Sequence, residues 1–437
     1  MLRLEIRSDE LKNGLRLACV PVSGTSFIEL IFAVKTGSRN EPERLAGISH
    51  FLEHMIFRGS KSLPSSSALN HAIETVADGL EAGTARELTV FALQTLPEHL
   101  DRSLEILADL FQNPVFGEIE TEKKIVYEEM LEELDEHGNE SDLLNISRLL
   151  VLGDHPLARP ILGRKKSLKR IKRKDLIEYF KAQYGPTNMM IVASGKITPE
   201  RFFKAAKKTL GKWHSRPIKL LAQEAIVAPT PSAGPLIQFR SRPRSQIEVL
   251  LTFLGEGERS PNFVQLMALE RVLDDGLASR LQRRLCDRRG LLYDIGVALD
   301  SYTDLSFMDF AFKIDEKKAL IAIREILAET IELRTKLIPK DELARIKARM
   351  KREAIGLFET PRSLAARVAE TNLLGMATPL EFSAWQDAID ALEPEILLET
   401  AKRLFQPEKL VVVLEGIFPP GDRTRIRNQI LKTYSAA

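Results

Sequence analysis

Cysteine is scarce: the 437 residues hold only Cys19 and Cys286. A disulfide framework needs more, as does a thiolate zinc ribbon with its four paired ligands. No run approaches the roughly 18 apolar residues of a membrane-crossing helix, so no helical span is expected. The first residues, from Met1 to Asn13, lack a basic segment followed by a long apolar one. No signal peptide is therefore expected, and a cytoplasmic protein is the default. An excess of one charge is also missing: 63 Lys and Arg face 61 Asp and Glu, for a net charge of +2. A chain built mainly to grip nucleic acid would need a large basic excess. The 44% hydrophobic and 28% charged composition is that of a globular protein, and the length implies about two to four domains.

Histidine is missing from the second half. His50, His54, His71, His99, His137, His155 and His214 all precede a proline-rich break at 228–235, where Pro229, Pro231, Gly234 and Pro235 rule out a helix or an internal strand. The two halves resemble each other. The strand-like run 26–34 recurs at 245–253, and 189–195 recurs at 410–416, both displaced by roughly 220 residues. Helical patterns lie between, among them 45–58, 66–78, 98–112, 118–136, 174–184 and 198–210. The expected fold is α+β, with two duplicated domains in which a sheet is covered by helices. The domains are expected at 1–215 and 236–437, joined by a linker at 216–235. A metal site in one copy of a duplication would leave the histidines distributed in this way.

Residues 50–54 read His-Phe-Leu-Glu-His. On a helix, residues four apart share a face, so His50 and His54 can present two imidazole nitrogens to one zinc ion. Glu53 would lie close enough to take a proton from a water whose pKa the metal lowers towards ~7. This is the inverted zincin pattern; the alternative is a pair of packed core histidines. A third ligand can be sought on the helix expected at 118–136. With Ile125, Val126, Met130 and Leu134 setting an apolar face, Glu122 and Glu129 fall within that arc and Glu128 outside it. A carboxylate on a buried face is costly unless it is paired or metal-bound. Glu129 therefore reads as a ligand, Glu122 as its support, and Glu133 as a possible further support. The alternative is an acidic helix facing solvent.

Residues 164–174 contain eight basic residues in eleven. They suit either a docking patch for an acidic partner or a solvated loop and helix start. Near-neutrality of the whole chain favours the second.

Taken together, these motifs resemble the pitrilysin or insulinase (M16) family of zinc peptidases, and most of all its two-domain members of about 50 kDa, such as mitochondrial processing peptidase subunits and bacterial homologues. The resemblance runs from Leu11–Leu15 and Gly37–Glu41 through Gly47–Gly59, Glu122–Glu129 and His155–Gly163 to Ser279–Leu281 and Arg289–Tyr293. It implies two LuxS/metallopeptidase-like domains, each a mainly antiparallel sheet under helices, forming a clam-like chamber for unfolded peptides. It implies that His50, His54 and Glu129 hold Zn2+, that Glu53 is the general base, and that Glu122 and Tyr293 complete the catalytic set. The implied substrate-binding edge strand lies at 79–87 and includes Ala82 and Thr84, where an extended peptide could add by main-chain hydrogen bonds. Glu81 departs from the family's usual Asn.

A second departure is Cys286, which stands where the family's Arg is expected, seven residues before Tyr293. Either Cys286 is a packed residue and another Arg substitutes, or a partner chain supplies the clamp. The expected partners are thus a peptide substrate and a related M16 subunit carrying an Arg/Tyr pair, in a heterodimer, or else a second copy in a homodimer; no nucleic acid or membrane is expected. A non-catalytic peptide-binding or structural subunit is the competing reading. The complete motif with Glu53 argues for the enzyme.

Overall fold

The β-branched, apolar runs of the sequence become the strands of two sheets. The computed structural model describes residues 5–134, 140–213, 234–243 and 245–435. The expected linker, except Gly234 and Pro235, lies outside the described residues, as do His137 and His214. The first sheet contains β1 (Arg7–Glu10), β2 (Arg16–Pro21), β3 (Ile28–Val34), β4 (Ala77–Thr84), β5 (Thr89–Thr95) and β6 (Met189–Gly195), in the order β1-β2-β6-β3-β5-β4. The second contains β7 (Leu236–Arg240), β8 (Ile247–Glu256), β9 (Gly296–Ser301), β10 (Leu305–Ile314) and β11 (Leu410–Glu415), in the order β7-β11-β8-β10-β9. Among the described residues, only β2–β6 and β7–β11 are parallel pairs. Omitting β1, the two orders superpose strand for strand, and so does the register. Glu29 lies opposite Ser194 across β3 and β6; their repeat counterparts, Glu248 and Glu415, lie opposite each other across β8 and β11.

In the first half the helices are α1 (Ile48–Ile56), α2 (Ser66–Glu74), α3 (Leu100–Gln112), α4 (Ile119–Glu132), α5 (Leu143–Leu152), α6 (Lys165–Arg170), α7 (Arg173–Gln183) and α8 (Pro199–Leu210). In the second they are α9 (Phe263–Leu273), α10 (Glu316–Thr335), α11 (Lys340–Glu359), α12 (Pro361–Leu374), α13 (Phe382–Asp390), α14 (Pro394–Leu404) and α15 (Asp422–Ser435). None of the described helices is long and apolar enough to cross a membrane.

Strand β3 is buried along its whole length, because both faces of its sheet are covered. Ile28, Leu30, Phe32 and Val34 join the first core with Phe51 of α1 and Phe111 of α3. Ile31 and Ala33 enter a core shared with Leu364, Ala365 and Val368 of α12, from the other half. The exchange is mutual: Ile146 and Val151 of α5 pack with Phe307, Val411 and Val413 of the second sheet. Polar bonds follow the same route. Arg148 of α5, 1% exposed, bonds Asp309 at 2.9 and 2.5 Å and Asp300 at 2.8 Å. Each half thus lends a helix to the other's sheet.

Candidate metal centre

Helix α1 starts where it does because the chain before it is pinned. Gly47 has φ 91°, and a Cβ there would stand 2.5 Å from the Leu162 carbonyl oxygen, so only glycine fits. The Glu41 carboxylate accepts the Gly47 and Ser49 N–H groups at 2.6 and 2.7 Å, satisfying donors that a helix start otherwise leaves unpaired. Phe51, Leu52, Met55 and Ile56 anchor the helix in the core. That anchoring turns His50 and His54 to one side, with ring centroids 4.6 Å apart.

Helix α4 lies against α1. Its buried stripe is Glu122, Val126 and Met130. Ile125, which the sequence placed on the buried face, is 47% exposed instead. The stripe centres on Val126 and reaches about 40° to either side at 100° per residue, so Ile125, about 100° away, lies outside it. Helix α4 also ends at Glu132, earlier than the expected 136. The stripe brings Glu129 to the histidines. Glu129 Oε1 is 3.6 Å from His50 Nε2, and Oε2 is 3.6 Å from His54 Nε2. Potential ligand atoms of His50, His54 and Glu129 all lie within 4.8 Å of one another. Glu128 is exposed. Glu133 is half-buried; burial and the nearby carboxylates of Glu140 and Asp142 push it up to about 7.

The donor set suits zinc. Two imidazoles and a carboxylate are one of the ligand sets of open catalytic zinc sites, and at bond lengths of about 2.0–2.1 Å tetrahedral ligand atoms sit roughly 3.4 Å apart, somewhat closer than the ligand atoms here, which lie within 4.8 Å of one another. Burial, with His54 beside it, lowers the His50 pKa to about 4, leaving a neutral ring able to ligate. Among the described residues, His50 Nδ1 is buried with no hydrogen-bond partner. His54 is oriented through its other nitrogen: Nδ1 lies 2.8 Å from Glu122 Oε1, which leaves Nε2 facing Glu129. Burial opposes ionisation of Glu122, yet hydrogen bonds from His54 and Arg58 outweigh it and hold the carboxyl below its usual range. Arg58 bonds Glu122 and, at 2.7 Å, Glu118. Arg58 lies within the 47–59 motif but beyond the end of α1, so helix periodicity assigns it no direction.

Glu53 is buried next to this cluster, and its Oε2 accepts the Thr84 hydroxyl at 2.5 Å. Burial raises its pKa. A cavity of ≈ 360 Å3 opens beside Glu53 and His54, walled by Phe57, Arg58, Asn70 and Glu122. Thr84 ends β4, an edge strand that among the described residues pairs only with β5. Ala82 packs against the first core. Gly79 and Gly83 have open space where a side chain would stand. Glu81 forms an ion pair with Arg362 of α12.

Tyr293 sits elsewhere. It is fully exposed in the loop before β9, on the wall of a groove formed with Leu143, Leu144, Val249 and Phe312. Cys286 lies in a π-helical turn, Gln282–Asp287, and packs against the second core. Its arginine neighbours Arg284 and Arg289 are held in ion pairs with Glu325 and Glu329.

Comparisons with known proteins agree with this architecture. Residues 21–164 match the model described as insulinase (peptidase family M16), and residues 170–350 the one described as peptidase M16 inactive domain. An uncharacterized zinc protease of Bacillus subtilis is 26% identical over 366 residues, 83% of this chain and 87% of that protein. A probable mitochondrial-processing peptidase subunit beta of Arabidopsis thaliana is 31% identical over 274 residues, 62% of this chain and 50% of that protein. The crystal structure of a Helicobacter pylori protease shares the fold with a TM-score of 0.84 at 23% identity, covering 95% of this chain and all of the other.

Proposed function

The chain belongs to the M16 peptidase family, and from that premise we propose that it is a zinc-dependent endopeptidase for short or unfolded peptides, working as the zinc-bearing half of a heterodimer. The observation that carries this reading is the convergence of His50, His54 and Glu129, with Glu53 held beside them. Zinc at that point would supply a Lewis acid able to polarise a water and the scissile carbonyl.

The chain's own groups do the rest. His50 is neutral, and His54 is oriented by Glu122, a hydrogen-bond arrangement that fixes the tautomer and ring direction of a ligand. Thr84 holds one oxygen of Glu53, and burial raises that carboxyl's proton affinity, as a general base requires. An extended peptide would pair with the open edge of β4, which ends at Thr84, so its backbone would pass the same site. A folded substrate cannot offer such a backbone, so native globular proteins are spared. The heterodimer rests on Cys286, a packed thiol and weak donor where a guanidinium clamp is expected, and on fully exposed Tyr293. It is also consistent with the Arabidopsis relative being a named subunit.

The test is Glu53→Gln. The variant should fold and keep its zinc but lose turnover of an unfolded peptide by about two orders of magnitude or more, because an amide cannot accept the proton. Activity equal to wild type would remove Glu53 from the mechanism.

A further inference from the structure

Against the segment leading into α1 lies a second cavity, of ≈ 350 Å3. Five cations line it, Arg44, Arg159, Arg164, Lys166 and Arg170, against two acids, Glu43 and Asp154. Arg44 is paired with Asp175, and Arg159 donates to the main-chain carbonyls of Glu41 and Asp154. Arg164, Lys166 and Arg170 have no ion-pair partner among the described residues. Ala46, Leu149, Gly153, Ala158, Pro160 and Ser167 complete the wall.

The basic run that the sequence left as a solvated face is therefore sorted by the structure. Three of its cations converge on one concavity. Lys165 is instead drawn onto the Tyr127 ring, and Arg173 onto the Val115 carbonyl. The whole chain is nearly neutral, so this local excess does not follow from general basicity. Cations gathered around one cavity repel each other, and an anion inside would turn that repulsion into attraction. Guanidinium forks match the oxygens of phosphate and carboxylate. The volume lies in the range of small-molecule pockets, about 300–1,000 Å3, and would not admit a folded segment.

We propose that this cavity is a binding site for a small multivalent oxyanion, of phosphate or polycarboxylate chemistry. The site is separate from the metal cluster but adjoins its support. Ala46 of the wall precedes Gly47, where α1 begins, and Gly47 packs directly on Gly163, next to Arg164. An occupant would brace the loop from which the His50 helix starts. The proposal does not depend on the peptidase reading.

The experiment is calorimetric titration of the full chain with pyrophosphate and, separately, citrate, at ionic strength held constant with potassium chloride. Saturable one-site binding of either supports the site, and the tighter of the two identifies phosphate or carboxylate as the preferred chemistry. Arg164→Gln/Lys166→Gln/Arg170→Gln should weaken binding roughly tenfold or more. Lys169→Gln/Lys174→Gln, in the same run but outside the cavity wall, should leave it unchanged. Leu149→Glu, at an exposed position of the wall, should also abolish binding, so the result survives any misfolding of the triple variant. No binding of either anion, or equal affinity in every variant, would overturn the proposal.

Discussion

At the scale of single residues, burial decides which groups are ready to act. His50 is buried and held neutral down to about pH 4, whereas an exposed histidine titrates near 6.5. The sign of the consequence follows. Between pH 6.5 and about 4 the unfolded chain takes up a proton that the folded chain resists, so this group's contribution to stability is complete above 6.5 and is lost as pH falls. In metal-free protein it amounts to at most about 3 kcal/mol. Denaturant melts of metal-free wild type and His50→Asn at pH 7 and pH 4.5 measure it: the wild type should lose more stability on acidification than the variant. An identical acid loss would mean that His50 is not held as described. Glu53 and Glu122 form a contrast of the same kind. Both are buried carboxyls, but Arg58 and His54 keep Glu122 ionised while Glu53 has only a hydroxyl donor and a raised proton affinity. The residues of the cluster could be read from the sequence because spacing along a helix fixes direction. Arg58 and the Thr84–Glu53 bond could not, because they depend on how a turn and a distant strand fold back.

At the scale of elements, periodicity located α1, α4 and the central strands, and the repeat located their counterparts. It misjudged Ile125, since one apolar residue outside a stripe does not move its centre. It could not show that α5 and α12 each cover the sheet of the opposite half, because an apolar face does not state which core it enters. The exchange makes a prediction for Arg148, the buried cation of α5 that bonds Asp300 and Asp309 of the second half. Removing one member of a buried pair leaves the other charge uncompensated, at a cost of about 3–5 kcal/mol. Arg148→Met should lower the denaturation midpoint of both halves together, followed by Trp213 fluorescence in the first and Trp385 in the second. A loss confined to one half, or none, would show that the exchanged helices do not couple them.

At the scale of the whole molecule, the proposed metal ligands lie in the first half and the second supplies a packed Cys286 and an exposed Tyr293. The chain alone is expected to hold metal yet cleave peptides poorly, and a related chain carrying an Arg–Tyr pair should raise the rate at least about tenfold. Cys286→Arg is not expected to rescue the lone chain, because that half-buried side chain is already packed against the second core. Full activity from a verified monomer, unchanged by any partner, would remove the heterodimer.

Metal content measured on purified chain reads whether His50, His54 and Glu129 form one zinc site. Wild type should hold about one zinc per chain, and His50→Ala/His54→Ala essentially none, since an open three-ligand site does not survive the loss of two ligands. Glu129→Gln should lower occupancy while Glu128→Gln leaves it intact. Full zinc in the double histidine variant would mean that the metal is held elsewhere.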